Sequence, residues 1–308
     1  MRETSTPPSP ELPSPELPSP CPLPQGEGST LIAPGLYLVS TPIGNLEDIT
    51  LRALRILKSA TIIACEDTRT SFVLLSHYGI RTKTIAYHEH NGEQMRPELL
   101  ARLAAGESIA LISDAGTPLI SDPGYKLVRA VAAAGHSVIP IPGASSLLPA
   151  LIASGLPTDQ FLFIGFLPNK SAARRTALEP HIHSPYTLIA FESPHRLIES
   201  LTDLRAVLGD DREISIAREL TKRYEEHRRG TLQILCEHYA QAEPPRGEIV
   251  LIIGPGEVKE TSAADIDTLL MQALATHSVK DAAALVAVAT GAPKRTLYQR
   301  ALALSAAE

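Results

Sequence analysis

From Leu36 onward, short apolar runs alternate with longer stretches in which apolar positions recur every three or four residues. LYLVS (36–40), TIIACE (61–66), TIAYH (84–88), IALIS (109–113) and SVIPI (137–141) have the length and content of strands, with helical patterns such as LRALRILKSA and RPELLARLAAG between them. This alternation predicts a parallel sheet covered on both faces. Ligands of such sheets bind in the crevice beyond the carboxyl ends of the strands. A second set of strands is predicted at FLFIGFL (161–167), YTLIAFES (186–193), EISIARE (213–219), GTLQILC (230–236) and EIVLIIG (248–254). Its spacing is tighter, and RRGTL after YEEH suggests a hairpin, so this sheet is expected to be mixed.

GASSLLPALIASGLPTD carries the helix expected to join the two halves, and beyond Gly256 the chain turns to alanine and leucine, enough for three short helices. The expected organisation is therefore a Pro-rich tail (1–33), a parallel α/β domain (34–147), a mixed α/β domain (148–256) and a helical extension (257–308). The tail repeats SPELP and cannot bury enough apolar surface to order itself, so it is expected to be extended and mobile.

Composition narrows the function classes. The net charge of -6 argues against a broad non-specific nucleic-acid surface, while leaving room for a local basic patch. With no tryptophan and 4% aromatics, base stacking is not expected to be the main mode of binding. Cys21, Cys65 and Cys236 are odd in number and widely spaced, which supports neither a disulfide framework nor a cysteine zinc site. No apolar run is long enough to span a membrane and no signal peptide is evident, so a reduced, cytoplasmic protein is expected. The pairs His88/His90 and His181/His183 lack further designated ligands, and no metal is expected.

The candidate chemistry sits at the predicted strand ends. LISDAGTPLISDPG (111–124) follows a buried strand with two small-residue, acid-bearing turns in succession. Turn preference explains part of this, and close approach of the backbone to a ligand explains the rest. STPIGNLEDIT (40–50) follows the first strand but matches neither G-x-G-x-x-G nor a P-loop, which disfavours a dinucleotide site. CEDTR (65–69), SDAGTP (113–118) and PGASS (142–146) end three other strands, so four polar turns converge on one sheet edge. CEDTR brings three charges there, which solvent or a ligand must receive.

STPIGNLEDIT, CEDTR, SDAGTPLISDPG, PGASS, FESPHR and ARELTKRYEE, in this order and spacing, resemble the tetrapyrrole methylase superfamily. Within it they are similar to the branch that methylates the ribose 2′-oxygen of a cytidine in the decoding region of small-subunit ribosomal RNA. The resemblance implies two α/β domains with S-adenosylmethionine in the cleft between them, and a homodimer. Carried over by motif, it implies cofactor contacts at Pro42 and Ile43, at Asp114, Gly116 and Thr117, and at Ala144 and Ser145. From the second domain it adds Phe191, Ala217 and Gly247. Ser121, Asp122 and Gly124 of the second turn are assigned a looser part, shaping the cleft.

Methylation of a ribose hydroxyl needs in-line alignment and a proton acceptor. Glu66, Asp67, Glu192, His195 and Glu219 are the candidates, with Glu66 and Glu192 favoured by their places at strand ends; either is equally suited to an ion pair with Arg69 or Arg196. Arg69, Arg196, Lys222 and Arg223 suit phosphate capture. The last helices have the outline of a helix-turn-helix, in which Lys294, Arg295 and Arg300 follow a Gly-containing turn; its alternative role is a packing bundle. The expected partner is small-subunit ribosomal RNA or the assembled subunit. Two other readings fit the motifs less well: a tetrapyrrole ring-carbon methylase, and a non-catalytic RNA-binding protein with a vestigial nucleotide pocket.

Overall fold

The strands fall into two five-stranded sheets, and strand order within the first fixes where a ligand can enter. The computed structural model describes residues 32–256 and 263–305, so the proline-rich run lies outside the described residues. The first half runs β1 (Gly35–Val39), α1 (Leu51–Ser59), β2 (Ile62–Cys65), α2 (Thr68–His77), β3 (Thr84–Ala86), α3 (Gly92–Ala104), β4 (Ser108–Ile112), α4 (Tyr125–Ala133) and β5 (Val138–Ile141). Its sheet is parallel throughout, in the order β3-β2-β4-β1-β5. The chain leaves β1 toward one edge and leaves β4 toward the other, so a crevice opens beyond their carboxyl ends.

Both faces of this sheet are covered, which is why β2 and β4 are buried at every position. Tyr37 and Val39 of β1 pack on one side with Ile56 and Leu57 of α1, while Leu36 packs on the other with Leu99 of α3 and Leu127 of α4. Ala53, Ile56 and Leu57 form a buried i, i+3, i+4 stripe, and the Thr50 hydroxyl starts α1 by accepting from the Ala53 N–H at 3.1 Å.

The second half follows α5 (Leu147–Ile152): β6 (Phe161–Phe166), α6 (Ser171–Leu178), β7 (Thr187–Glu192), α7 (Leu197–Leu208), β8 (Glu213–Arg218), β9 (Glu226–Thr231), α8 (Leu232–Gln241) and β10 (Ile249–Ile253). The sheet is mixed, in the order β6-β7-β10-β8-β9, with only β6 and β7 parallel. One strand expected from the sequence is corrected: of GTLQILC, only Gly230 and Thr231 lie in a strand. The hairpin partner of β8 is the polar stretch Glu226–Thr231, and Leu232 begins a helix. Thr231 caps that helix by accepting from the Ile234 N–H, and Leu232, Leu235 and Tyr239 are buried at helical spacing.

Helices α6, α7 and α8 cover one face of the second sheet. The other face carries Ile189, Ala217, Val250 and Ile252, which pack with Ile43 of the first turn and with Ala150 and Leu151 of α5. This shared cluster joins the two sheets and floors the space between them. Beyond it lie α9 (Ala263–Leu274), α10 (Val279–Thr290) and α11 (Lys294–Ser305), packed around Leu270, Ala283, Val286, Leu297 and Ala301. Gly291, in the left-handed region at φ 71°, ends α10 and allows the turn into α11.

Candidate active site

A cavity of about 350 Å³ lies between the sheets. The first sheet's loops supply Ile43, Gly116, Thr117, Ser121, Asp122 and Ser145, and the second sheet supplies Phe166, Phe191, Glu192 and Val250 together with Gly247 and Glu248 from the approach to β10. The walls are held by backbone pairing: the Thr41 and Gly116 N–H groups each donate to the other's carbonyl at 2.9 Å. The Thr117 hydroxyl donates to the Ala144 carbonyl at 3.2 Å, and the Thr41 hydroxyl to the Ser113 carbonyl at 3.1 Å. The turns after β1, β4 and β5 are thereby locked into one surface.

Gly116 has a φ of 80°, and a Cβ there would sit 3.3 Å from Ile43 Cγ2, at the cavity wall. Gly247, at φ 92°, is tighter still, since a Cβ would overlap the Glu219 carboxyl group. Both positions hold left-handed backbone, which favours glycine.

Six of the residues expected to hold cofactor line this cavity: Ile43, Gly116, Thr117, Ser145, Phe191 and Gly247. The other four are not among its lining residues. Pro42 is buried beside Ile43; Ala144 receives the Thr117 hydrogen bond; Ala217 is buried opposite Val250 on β10; the exposed Asp114 accepts from the Asp67 N–H at 3.1 Å.

The acidic candidates separate by environment. Glu192 lines the cavity with a fully buried side chain, and one oxygen takes the Arg196 guanidinium at 2.6 Å and the Ser193 N–H at 2.7 Å while the other accepts from the Ser200 hydroxyl. Asp67 caps α2 and pairs with Arg69, whose hydrogen bonds hold its carboxyl down at about 2. Glu219 accepts from the Glu248 N–H at 3.0 Å and from Lys222 Nζ at 2.8 Å. Burial pushes its carboxyl up, but those partners outweigh burial and leave it below the usual range. Burial and the Asp114 carboxylate push Glu66 up.

Asp122 is placed for more than shaping the cleft. Asp122 lines the cavity, and burial lifts its carboxyl to about 6; a Ser113 hydrogen bond opposes this, and the Glu66 and Asp114 charges add to it. The available signal was the second Ser-Asp pair of LISDAGTPLISDPG. His195 is exposed on a 3-10 turn, Pro194–Arg196, just past the lining residue Pro194.

Of the basic candidates, Arg196 is tied to Glu192 and Lys222 to Glu219 and Glu248, while Arg69, paired with Asp67 in its own turn, is 90% exposed. Arg223 is exposed beside Tyr224, with its guanidinium 5.7 Å from the ring centroid. On α11, Lys294 and Arg295 are exposed in the first turn, and Arg300 forms a two-point pair with Asp267 of α9. Among the described residues no cluster of His, Cys, Asp and Glu has metal-holding geometry, and no helix is long and apolar enough to cross a membrane.

Two sheets that meet at a glycine-lined cavity, followed by a three-helix extension, define the class. Residues 35–236 match the family described as Tetrapyrrole (Corrin/Porphyrin) Methylases, and residues 260–305 match the RsmI C-terminal HTH domain. The chain belongs to the tetrapyrrole methylase family. It is 56% identical over 273 residues to a Mesorhizobium japonicum protein named ribosomal RNA small subunit methyltransferase I, covering 89% of this chain and 93% of that one. A protein of the same name from Halalkalibacterium halodurans is 50% identical over 270 residues, covering 85% and 93%. Among solved structures, diphthine synthase superposes with a TM-score of 0.57 at 14% identity, covering 71% of this chain and 89% of that one, a likeness of fold.

Proposed function

We propose that the protein methylates the ribose 2′-oxygen of a cytidine in the decoding region of small-subunit ribosomal RNA, acting in the cytoplasm as a homodimer on the RNA or the assembled subunit. The observation that carries this reading is the extent of the likeness: relatives named for small-subunit ribosomal RNA methylation align along nearly the whole chain, and the terminal helices match a domain of their own. We assign the catalytic body to two units, 34–147 and 148–256, and the RNA-binding extension to 257–308.

The methyl donor is S-adenosylmethionine, which supplies a methyl group on a positively charged sulfur. The cavity fits it. Its volume lies within the roughly 300–1,000 Å³ typical of small-molecule sites. Ile43, Leu147, Phe191 and Val250 give it apolar walls, and Gly116 and Gly247 bring bare backbone to its surface. The Asp122 carboxylate in the lining suits a cationic ligand.

The chain's own residues then have three tasks. The interlocked turns at Thr41, Gly116, Thr117 and Ala144 hold the donor's site rigid, and positioning of this kind can contribute on the order of 7–11 kcal/mol to the barrier. A carboxylate takes the proton from the ribose 2′-oxygen, a contribution of roughly 10²–10⁴-fold. Asp122 and Glu66, each raised toward neutrality, suit that task; Asp67 and Glu219, held low by their partners, and Glu192, with its oxygens already engaged, suit scaffolding. Basic side chains receive the phosphates: the exposed Arg69 and Arg223, and Lys294 and Arg295 at the start of α11. The edge strand β6 leaves Phe161 and Leu162 exposed, an apolar surface suited to the second copy.

The test is competitive labelling. Small ribosomal subunits that lack the modification should take up label from S-adenosylmethionine while uroporphyrinogen does not; label in the porphyrinogen alone would assign the site to ring-carbon methylation.

A further inference from the structure

We infer that Tyr224 is a stacking platform for a nucleobase of single-stranded RNA next to the target nucleotide. The inference deepens the proposed function and rests on it. The loop between β8 and β9 is an ordered structure on which to carry an exposed ring. Glu219 and Thr221 both adopt left-handed backbone, at φ 53° and 65°, although neither is glycine. Such conformations persist only where surroundings enforce them, and they concentrate at functional sites. Here the enforcement is visible: the Thr221 N–H donates to Glu225 Oε2 at 2.7 Å, the Lys222 N–H to the Glu219 carbonyl at 3.0 Å, and the Glu225 N–H to the Lys222 carbonyl at 3.1 Å.

The same loop is bolted to the cavity. Glu219 Oε1 accepts from the N–H of Glu248, a lining residue, and Lys222 Nζ reaches Glu248 Oε2 at 3.2 Å. On its other side the Lys222 stem lies over Gly44, where a Cβ would overlap Lys222 Cγ. The loop therefore bridges the turn after β1 and the Gly247–Glu248 wall, at the rim of the site.

On this fixed support Tyr224 stays 66% exposed. An exposed aromatic ring on a pinned loop, with a guanidinium 5.7 Å from its centroid, has the composition of a single-strand RNA contact. Unstacked bases lie on aromatic rings or guanidinium planes while the cation serves the backbone. A ribose entering the cavity carries its neighbours past this rim, so the ring meets the flanking base. Low aromatic content argued against stacking as the main mode, and one platform at the rim is compatible with that.

The experiment compares Tyr224→Ala, Tyr224→Leu, Tyr224→Phe and Tyr224→Trp, with Tyr186→Ala as the control, since Tyr186 sits at the far end of β7 from Glu192. The readouts are KM for unmodified small ribosomal subunits and calorimetric affinity for S-adenosylmethionine. The Ala and Leu variants should raise KM by roughly ten- to a hundredfold, while Phe, Trp and the control remain close to wild type and cofactor affinity is unchanged in all. A wild-type KM in Tyr224→Ala, or full rescue by Leu, overturns the platform. If the wild-type protein itself methylates no subunit, the functional reading fails and takes the platform with it.

Discussion

Thr41 and Gly116 exchange two backbone hydrogen bonds at 2.9 Å, although they lie on different loops. This pair ties the turn after β1 to the turn after β4, the two strand ends between which the sheet topology opens its crevice. Gly116 must hold φ at 80° to make the pairing, and its missing side chain leaves the wall open beside Ile43.

Gly116→Val should therefore abolish S-adenosylmethionine binding while the fold survives. A β-branched residue at that φ costs on the order of 1–3 kcal/mol, which a two-sheet core tolerates. Calorimetry should show no binding alongside a cooperative thermal transition; normal affinity would remove Gly116 from the site.

Glu192 is a buried carboxylate with an arginine, an amide and a hydroxyl on its two oxygens. Glu192→Ala leaves Arg196 uncompensated and should cost on the order of 3 kcal/mol or more in unfolding free energy. Denaturant titration measures it. An unchanged stability with lost turnover would instead place Glu192 in the proton transfer.

Asp122 gives a pH signature. Its folded carboxyl sits at about 6 against roughly 3.9 in an unfolded chain, so its stabilising contribution is complete below about pH 4 and is lost as pH rises through about 6. Asp122→Asn should therefore be more stable than wild type at about pH 8, by on the order of 1 kcal/mol after solvent screening, and no more stable at about pH 4. Turnover of the wild type should rise through the same window and fall in the variant by roughly 10²-fold or more. A pH-independent turnover across that window would exclude Asp122 as proton acceptor.

The terminal helices should serve RNA more than cofactor. Removing residues 258–308 should weaken subunit binding and leave S-adenosylmethionine affinity in place. The double change Lys294→Ala and Arg295→Ala should lower the salt slope of RNA binding by about 1.4–1.8, if each side chain neutralises one phosphate. Equal subunit affinity after truncation would make α9, α10 and α11 a scaffold.

Much of the fold was legible because apolar runs such as IIAC and SIALI sit in a parallel sheet buried on both faces, where burial alone marks the strand. GTLQILC misled because Leu232, Ile234 and Cys236 mimic strand alternation, while the contacts that decide, Leu232 with Leu235 and Tyr239, follow the helical period. The cleft was legible from glycine and proline at strand ends. The division of labour among its acids was not, because Glu192 is tied down by Ser200 and Glu219 by the amide of Glu248, pairings that only the folded chain creates. Asp122 likewise owes its shift to burial and to Glu66, which are distant in sequence.

The methylated product decides between ribose 2′-oxygen and any other acceptor. Purified protein, labelled S-adenosylmethionine and unmodified small ribosomal subunits would be combined, and the RNA digested to nucleosides for mass spectrometry. Label is expected in 2′-O-methylcytidine from the decoding region. Label in a base-methylated nucleoside, or in no nucleoside while cofactor binding is intact, would contradict it.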